Sequence, residues 1–234
     1  MLDFFRQFPE VFAVLSERKD GPMKAFPERP EENRENRKRF FSEQGIASDG
    51  VVSAELVHGT EVAIVSDTSQ TVILGTDALV TKEKKLFLSV TVADCLPVFF
   101  YDPMARVIGI AHAGWRGIVG GVIGKTVDAM IECGAKQIDI CVAFGPNIQK
   151  CHFEIGTDIL SQFAGYEQYI LERNAGIFVD LQGIAKEQLK KSGISGKNIE
   201  KSLLCTFCEP EKFFSHRRDK MANIPAMAAV IGMI

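Results

Sequence analysis

The sequence of 234 residues lacks a surplus of basic side chains, and this absence argues against whole classes of function. Its 27 Lys and Arg are outnumbered by 30 Asp and Glu, which leaves a net charge of −3. A mildly acidic balance does not favour a general nucleic-acid binder or a protein that adheres to anionic membranes. We therefore expect a small-molecule partner, with neither nucleic acid nor a membrane bound.

Recognisable targeting and membrane-spanning segments are also missing. The stretch 1–12 mixes Asp3, Arg6 and Glu10 into its apolar residues, whereas a signal peptide has a basic flank and an uninterrupted apolar centre. The apolar stretch 222–234 is too short to cross a bilayer. The six cysteines are scattered through apolar segments, so we expect reduced thiols and a cytoplasmic location.

The sequence shows no internal repeat, low-complexity tract or convincing linker, so we expect residues 1–234 to form one domain. Its hydrophobic content of 46% is ample for a sizeable core. Apolar periodicity with Gly, Pro and Asp boundaries predicts strands at 11–15, 51–57, 62–65, 137–144, 169–171, 177–179, 199–206 and 224–234. The same signals predict helices at 30–45, 118–133, 157–163 and 180–191, the first of them a solvated surface helix after a charged loop.

The stretch 89–117 holds two apolar runs that each end at a residue able to do chemistry. One run ends at Asp94 and Cys95, and the other ends at His112. Short runs rich in Val, Ile and Phe and bounded by Gly and Pro are typical of buried strands. The link 101–105, YDPMA, contains good turn residues, so we expect the two strands to pair or lie side by side. Cys95 and His112 are therefore predicted to be neighbours.

Cationic side chains follow the second run and recur near the C-terminus. The sequence AGWRG places Arg116 and several backbone N–H groups at a predicted helix start, which is a favourable anion site. The loop 215–219 carries the adjacent pair Arg217 and Arg218. Such a pair is usually solvated, but it also makes a good fork for a phosphate or carboxylate.

Histidine is scarce, and all four histidines fall in loops or at strand ends. His58, Cys95 and His112 offer a divalent metal three ligands and leave a fourth position for water or substrate, as in catalytic zinc sites. Their spacings, 95 − 58 = 37 and 112 − 95 = 17, match no local metal motif. The alternative interpretation is a buried cysteine and two hydrogen-bonded histidines that bind no metal.

A second interpretation makes Cys95 a thiolate nucleophile and His112 its general base, with Asp94 or Asp77 as the group that orients the imidazole. Residue types do not separate this interpretation from the metal site. Asp77 alone is typical of a turn-forming residue. Cys205 and Cys208 form a C-x-x-C, but the sequence has no second such pair, which disfavours a zinc knuckle or a thioredoxin-like role.

Six motifs together carry a family resemblance: VHGTEV, GTDALVT, VADCLPVFFYDP, AHAGWRG, GPNIQKCHFEIG and FFSHRRDK. In this order they resemble the YfiH-like purine nucleoside phosphorylase family, formerly described as multicopper polyphenol oxidases. The resemblance covers the chain from about residue 55 to its end. It implies an α+β fold of mixed sheets covered by helices. It also implies zinc, phosphorolysis of adenosine, inosine and methylthioadenosine, and hydrolytic deamination of adenosine.

Carried over by position, the resemblance implies that His58, Cys95 and His112 bind the zinc. Cys95, His112 and Asp94 are then the predicted catalytic residues, with Cys95 a ligand instead of a nucleophile. The predicted substrate and phosphate residues are Arg18, Asp77, Arg116 and Arg217. The family's Ser-x-Arg survives as Ser16 and Arg18, but its Gly-Gly and Asn-Leu turns are replaced by a different loop, which predicts an altered nucleoside pocket.

Two other activities remain open at this stage. A polyphenol oxidase needs a blue-copper site plus a three-copper cluster, and two of the four histidines are too few for that cluster, although copper can occupy the zinc site adventitiously. An amidase that edits peptidoglycan would use Cys95 and His112 as a dyad. Related proteins are described as editing factors, and the architecture resembles that of Cys–His deamidating toxins.

Overall fold

The computed structural model describes residues 2–24, 30–221 and 224–234, which form a layered fold. Two six-stranded mixed sheets pack face to face, and helices cover the outer face of each. The predicted α+β fold of mixed sheets and helices is confirmed. Part of the predicted charged loop before Pro30, residues 25–29, lies outside the described residues.

The first sheet has the strand order β1-β2-β15-β7-β3-β5. Its strands are β1 (Leu2–Asp3), β2 (Val11–Leu15), β3 (Val51–Ala54), β5 (Val72–Ile73), β7 (Phe87–Val92) and β15 (Met227–Met233). β3 pairs in parallel with β5 and β7, and the other pairs are antiparallel. Both faces of the central strands are buried, which explains why their sequences are apolar throughout.

The second sheet has the strand order β14-β10-β8-β9-β6-β4. Its strands are β4 (Val62–Ile64), β6 (Ala78–Thr81), β8 (Leu96–Asp102), β9 (Val107–Ala113), β10 (Cys141–Phe144) and β14 (Ile199–Lys201). β8 and β9 form the hairpin that the YDPMA turn predicts, with Pro97 opposite His112. Asp102 shapes the turn by accepting hydrogen bonds from the N–H groups of Met104 and Ala105 at 2.8 and 2.9 Å.

Alternating side chains of this hairpin fill two different cores. Phe99 and Tyr101 point into the core between the sheets, whereas Val98 and Phe100 point towards the helices. The period of two along a strand therefore divides one apolar run between two buried layers. Cys95 and His112 lie at the end of the hairpin opposite the turn, so their predicted proximity is confirmed.

Helices complete the two outer layers. In the part of the chain that the structure describes, the α-helices are α1 (Glu31–Glu43), α2 (Trp115–Gly120), α3 (Val122–Glu132), α4 (Thr157–Leu160), α5 (Leu181–Lys191) and α6 (His216–Asp219). A small antiparallel sheet of β11 (Glu154–Ile155), β12 (Ile170–Arg173) and β13 (Gly176–Val179) lies beside them. Within the described residues, every helix is too short or too polar to span a bilayer.

Several predicted elements differ from the structure. The strand expected to end at Asp94 and Cys95 is two strands, because β7 ends at Val92 in one sheet and β8 begins at Leu96 in the other. The helix predicted at 118–133 begins earlier and divides at Gly121, whose φ of 91° is left-handed. Strands predicted at 51–57, 137–144, 199–206 and 224–234 are shorter than expected.

Helix α1 is less solvated than the sequence indicates. Phe40 and Phe41 are 2% exposed and pack on the first sheet. Arg37 is also buried, with its guanidinium 4.9 Å from the Phe41 ring centroid and hydrogen-bonded to Ser53 Oγ at 2.8 Å. The dense charge of the sequence hides this buried face, because an arginine stem packs like an apolar side chain.

Candidate metal centre and adjoining clefts

Three potential ligands meet where the hairpin ends. Cys95 immediately precedes β8, His112 lies near the end of β9, and His58 lies in the loop between β3 and β4. Their ligand atoms, one sulfur and two imidazole nitrogens, all lie within 4.8 Å of one another. His112 is buried, Cys95 is half-buried and His58 is exposed, so the group runs from the core to the surface.

Asp77 holds two of these ligands in place. Its fully buried carboxylate accepts hydrogen bonds from the N–H groups of Val57, His58 and Gly59 at 3.3, 3.0 and 2.7 Å. The same carboxylate lies 2.8 Å from Nδ1 of His112. This contact makes Nε2 of His112 the nitrogen available to a metal, as in carboxylate–histidine–metal arrangements. Asp77 therefore fixes one imidazole directly and positions the other through the backbone.

Close backbone packing brings the loop of His58 to the sulfur. His58 adopts a left-handed φ of 58°, and its ring meets that of His112 edge-on at 4.8 Å. A Cβ on Gly114 would lie 3.2 Å from both Cys95 Sγ and His58 Cδ2. A Cβ on Gly117 would lie 2.8 Å from the carbonyl oxygen of Gly59. The glycines of AHAGWRG thus let the first turn of α2 approach this loop closely.

The titration of the group favours a thiolate. Burial opposes ionisation of the Cys95 thiol, but the charge of His112 and hydrogen bonds from His112 and His58 outweigh it and lower the pKa to about 6. Burial likewise opposes protonation of His112, but the Cys95 charge and the hydrogen bond to Asp77 raise its pKa to about 9. A thiolate is the form that binds metal or attacks an electrophile.

Two imidazoles and one thiolate fit a zinc ion. Zinc accepts nitrogen and sulfur ligands at tetrahedral positions, and three protein ligands leave one position for a reactant. Between them, the three side chains line two clefts, through which a reactant would reach a bound ion. Copper accepts the same donors, so residue types alone do not select the metal.

The two clefts have different linings. One, of about 380 Å³, contains Arg116 and Arg217. The other, of about 350 Å³, contains Glu55 and lies against β3 and β7. Both clefts share four lining residues, namely His58, Ala93, Cys95 and His216. The three potential ligands therefore lie at the junction of two clefts of mixed charge, one with two arginines beside Asp94, Glu154 and Asp158, the other with Lys24 beside Glu55.

Asp94, which the resemblance predicts to be catalytic, is engaged in hydrogen bonds with three neighbouring groups. Its carboxylate accepts hydrogen bonds from Thr206 Oγ1 at 2.5 Å, Ser215 Oγ at 3.0 Å and the N–H of Arg217 at 2.7 Å. These partners occupy both carboxylate oxygens, and the group that orients His112 is Asp77. Asp94 is therefore a positioning residue, because it anchors the loop that brings Arg217 to the cleft.

Two of the predicted substrate residues lie outside both clefts. Asp77 is fully buried beneath the three potential ligands and does not line either cleft. Arg18 donates a hydrogen bond to Asp219 at 2.8 Å, and its guanidinium lies 4.6 Å from the Phe214 ring centroid. It lines a separate cavity of about 590 Å³, which shares Lys24 and Ile224 with the cleft of Glu55. Arg116 and Arg217 do line the predicted site.

Sequence reasoning gave no role to His216 or Glu55, which the structure places in the clefts. His216 lies at the junction of both clefts, next to Arg217. Its signal in the sequence is the density of polar functions in the loop 215–219. Glu55 accepts a hydrogen bond from the N–H of Gly75 at 2.8 Å, and nothing in its local sequence indicates a cleft position.

Comparison with known proteins identifies the family. The family model described as "Multi-copper polyphenol oxidoreductase laccase" matches residues 24–234. A purine nucleoside phosphorylase of Deinococcus radiodurans is 36% identical over 202 residues, which are 85% of this chain and 76% of that protein. A protein named adenosine deaminase RL5, from an unknown prokaryotic organism, is 31% identical over 188 residues, 74% of this chain and 72% of that protein.

Solved structures agree with this assignment. YlmD from Geobacillus stearothermophilus superposes with a TM-score of 0.86 and 29% identity, over 97% of this chain and 93% of that one. YfiH from Bacillus licheniformis gives a TM-score of 0.87 at 29% identity, over 96% and 93% of the two chains. The chain belongs to the laccase-like family that includes these YfiH and YlmD proteins, and the resemblance read from its motifs is confirmed.

Proposed function

We propose that this chain is a zinc-dependent purine nucleoside phosphorylase that also deaminates adenosine. The names of its relatives, purine nucleoside phosphorylase and adenosine deaminase, support an enzyme that acts on nucleosides. The observation that carries the proposal is the position of the three ligands at the junction of two clefts, one of which contains two arginines.

Phosphorolysis requires a site for a dianion beside the sugar. Arg116 is exposed, with its guanidinium 4.3 Å from the Trp115 ring centroid. Arg217 donates through Nη1 to the carbonyl of Glu154 at 2.9 Å, and a guanidinium has four further N–H donors that can bind a phosphate oxygen. Two guanidinium groups in one cleft hold and orient phosphate for attack on C1′ of the ribose.

The junction of the clefts is where the bond to the purine breaks. His58, Cys95 and His112 would hold the zinc, which when bound supplies a Lewis acid for oxygen atoms of the reactants. His216 lines both clefts and can donate a proton to the departing purine, because an imidazole nitrogen can serve as a general acid. Asp77 keeps His112 in one tautomer throughout.

Product analysis with adenosine, with and without phosphate, tests the proposal. Adenine and ribose-1-phosphate formed only with phosphate identify the phosphorylase, and inosine identifies the deaminase. Inosine and methylthioadenosine tested in the same way define the preferred purine. Unchanged nucleosides in both reactions, with zinc-loaded protein, would overturn the proposal.

A Cys–His hydrolase is the second candidate, because Cys95, His112 and Asp77 stand in the order of nucleophile, base and orienting carboxylate. A peptidoglycan-editing amidase would need this dyad free of metal. A chelator and iodoacetamide separate the two functions. If a chelator leaves activity intact and iodoacetamide abolishes it, Cys95 is a nucleophile; the opposite result identifies a zinc ligand.

A copper polyphenol oxidase is the least supported function. Two of the four histidines belong to the proposed zinc site. Of the other two, His216 lies at the cleft junction and His152 lies among Cys151, Cys205 and Cys208. These two histidines are too few to build a three-copper cluster. We propose that copper, where it is found, replaces zinc at the same three ligands.

A further inference from the structure

A second group of potential ligands lies apart from the three residues at the hairpin end. It consists of Cys151 and His152 in the loop after β10, together with Cys205 and Cys208 in the turn after β14. The two halves are far apart in the sequence, with 57 positions separating Cys151 from Cys208. The fold thus brings Cys151 and His152 to the C-x-x-C of Cys205 and Cys208, which has no second pair of ligands nearby in the sequence.

The four ligand atoms are close enough together for one zinc ion to bind all of them. All four lie within 4.8 Å of one another. The sulfurs of Cys151 and Cys208 are 3.8 Å apart, and Nδ1 of His152 lies 3.3 and 3.2 Å from them. Zinc bonds of about 2.3 Å to sulfur and about 2.1 Å to nitrogen place tetrahedral ligands about 3.8 and 3.6 Å apart.

Neighbouring contacts hold the ligands in this arrangement. The buried sulfur of Cys205 accepts a hydrogen bond from the N–H of Gln149 at 3.4 Å, which fixes its position. The imidazole of His152 stacks on Phe207 with centroids 4.1 Å apart and 16° between the planes. The N–H of Cys208 donates to the carbonyl of Cys205 at 3.1 Å and closes the C-x-x-C turn.

The surrounding charge suits an anionic metal complex. Three thiolates, one neutral imidazole and one divalent ion carry a net charge of −1. Arg173 donates hydrogen bonds to the carbonyls of Lys150 and Cys151, and Arg218 donates to those of Thr206 and Phe207 at 2.7 and 3.0 Å. These guanidinium groups lie beside the backbone of both halves; Arg218 is also ion-paired with Asp219 at 2.8 Å, so the charge of Arg173 is the one that offsets the negative complex.

We propose that Cys151, His152, Cys205 and Cys208 bind a second zinc ion in a closed, four-ligand site. Four protein ligands leave no position for substrate, so this ion joins the loop after β10 to the turn after β14 and takes no part in the reaction. Its effect reaches the clefts through Thr206, which follows Cys205 and donates to Asp94. The proposal holds whichever reaction the first site performs.

Zinc content of variants made in zinc-supplemented medium provides the first test. We expect about two zinc ions per chain in the unaltered protein and about one in both Cys208→Ser and His58→Ala. Cys133→Ser, which alters a cysteine outside both groups, is the matched control and should keep both ions. One ion in the unaltered protein, retained in Cys208→Ser and lost in His58→Ala, would overturn the proposal.

Cobalt spectroscopy identifies the ligands and also covers a variant that loses stability. In folded His58→Ala protein stripped of metal, one equivalent of Co²⁺ should give tetrahedral d–d bands and a sulfur-to-cobalt charge-transfer band of three-thiolate intensity. Adding Cys208→Ser should lower that band by about a third. Octahedral spectra, or no change with Cys208→Ser, would contradict the four-ligand site.

Thiol labelling of the unaltered protein needs no substitution. Cys208 is exposed, so an alkylating reagent in alkaline solution should modify it quickly unless a metal holds its sulfur. We expect protection before treatment with a chelator and rapid modification afterwards. Prompt labelling of Cys208 in untreated protein would overturn the proposal. A Cys151–Cys208 disulfide, found by mass spectrometry in freshly purified protein that contains no metal, would also overturn it.

Discussion

The two groups of cysteine and histidine side chains in this protein differ in their composition and in their position. His58, Cys95 and His112 lie where strands end and two clefts meet, with one thiol among three ligands. The second group has three thiols and one imidazole in a loop and a turn, outside these clefts. A ligand set with a free position serves chemistry, and a complete set serves structure.

What differs most is the support around each group. The hairpin-end group is held by one buried carboxylate, Asp77, which contacts His112 and the backbone of His58. The second group is held by backbone N–H groups, ring stacking and arginines. The first arrangement tunes the basicity of a ligand, whereas the second neutralises the charge of several thiolates.

The largest effect is expected from His112→Ala. Removing one of three ligands should abolish zinc binding at the hairpin end and lower activity at least about a thousandfold, because a Lewis-acid metal supplies several kcal/mol. Zinc analysis should still find the ion of the second group. Cys133→Ser is the control for both readouts. Activity close to that of the unaltered protein would contradict a catalytic role for the hairpin-end group, in contrast to a structural role for the second group.

Asp77→Asn should have the next largest effect. An amide cannot accept all the hydrogen bonds that the carboxylate receives, so zinc affinity at the hairpin end should fall about 10- to 100-fold. Competition with a chromophoric chelator measures this affinity, and excess zinc should restore activity. Asp128→Asn, on the exposed face of α3, is the matched control. Equal zinc loss from both groups would show that Asp77 acts on global stability instead.

Arg116→Ala should produce a selective kinetic change. A lost charge-assisted hydrogen bond of about 1.5–3 kcal/mol corresponds to a KM for phosphate raised about 10- to 100-fold, with little change in the KM for nucleoside. Arg106→Ala removes an exposed arginine at the turn end of the same hairpin and should leave both constants unchanged. Equal increases in both KM values would sink the assignment of Arg116 to phosphate.

The smallest effect concerns pH, in metal-free protein. The pKa of Cys95 is lowered to about 6, whereas burial and the neighbouring Cys205 raise the pKa of Cys208 above its ordinary value. Because the thiolate reacts, iodoacetamide labelling of Cys95 should rise through about pH 6, and that of Cys208 only in alkaline solution. Mass spectrometry of the labelled peptides measures both profiles. Coincident profiles would contradict the opposite pKa shifts.

Local signals in the sequence predicted much of the fold. The turn residues of YDPMA predicted the β8–β9 hairpin, and that hairpin alone explains why Cys95 and His112 meet. Asp180 predicted the start of α5 and indeed accepts a hydrogen bond from the N–H of Gly183 at 2.9 Å. These features depend on a few adjacent residues, so hydropathy and capping preferences are enough to find them.

Features that depend on contacts between residues far apart in the sequence could not be predicted from local signals. The change of sheet between Val92 and Leu96 leaves no mark in hydropathy, because strands of both sheets are buried on both faces. The split of α2 from α3 depends on the left-handed Gly121, one glycine among several. Asp94 and Asp77 could not be assigned from sequence, since only their hydrogen-bond partners distinguish an anchor from an orienting carboxylate.

The change of sheet has a consequence for motion. Within three residues, 93–95, the chain leaves one sheet and enters the other, and there the carbonyl of Asp94 accepts from Ile148 while its carboxylate accepts from Arg217. Any opening that separates the sheets at this corner must break those bonds and displace the sulfur of Cys95 together. We therefore expect the amides of this corner to exchange as one cooperative unit, and an open corner to lose the arrangement of potential ligands at the hairpin end.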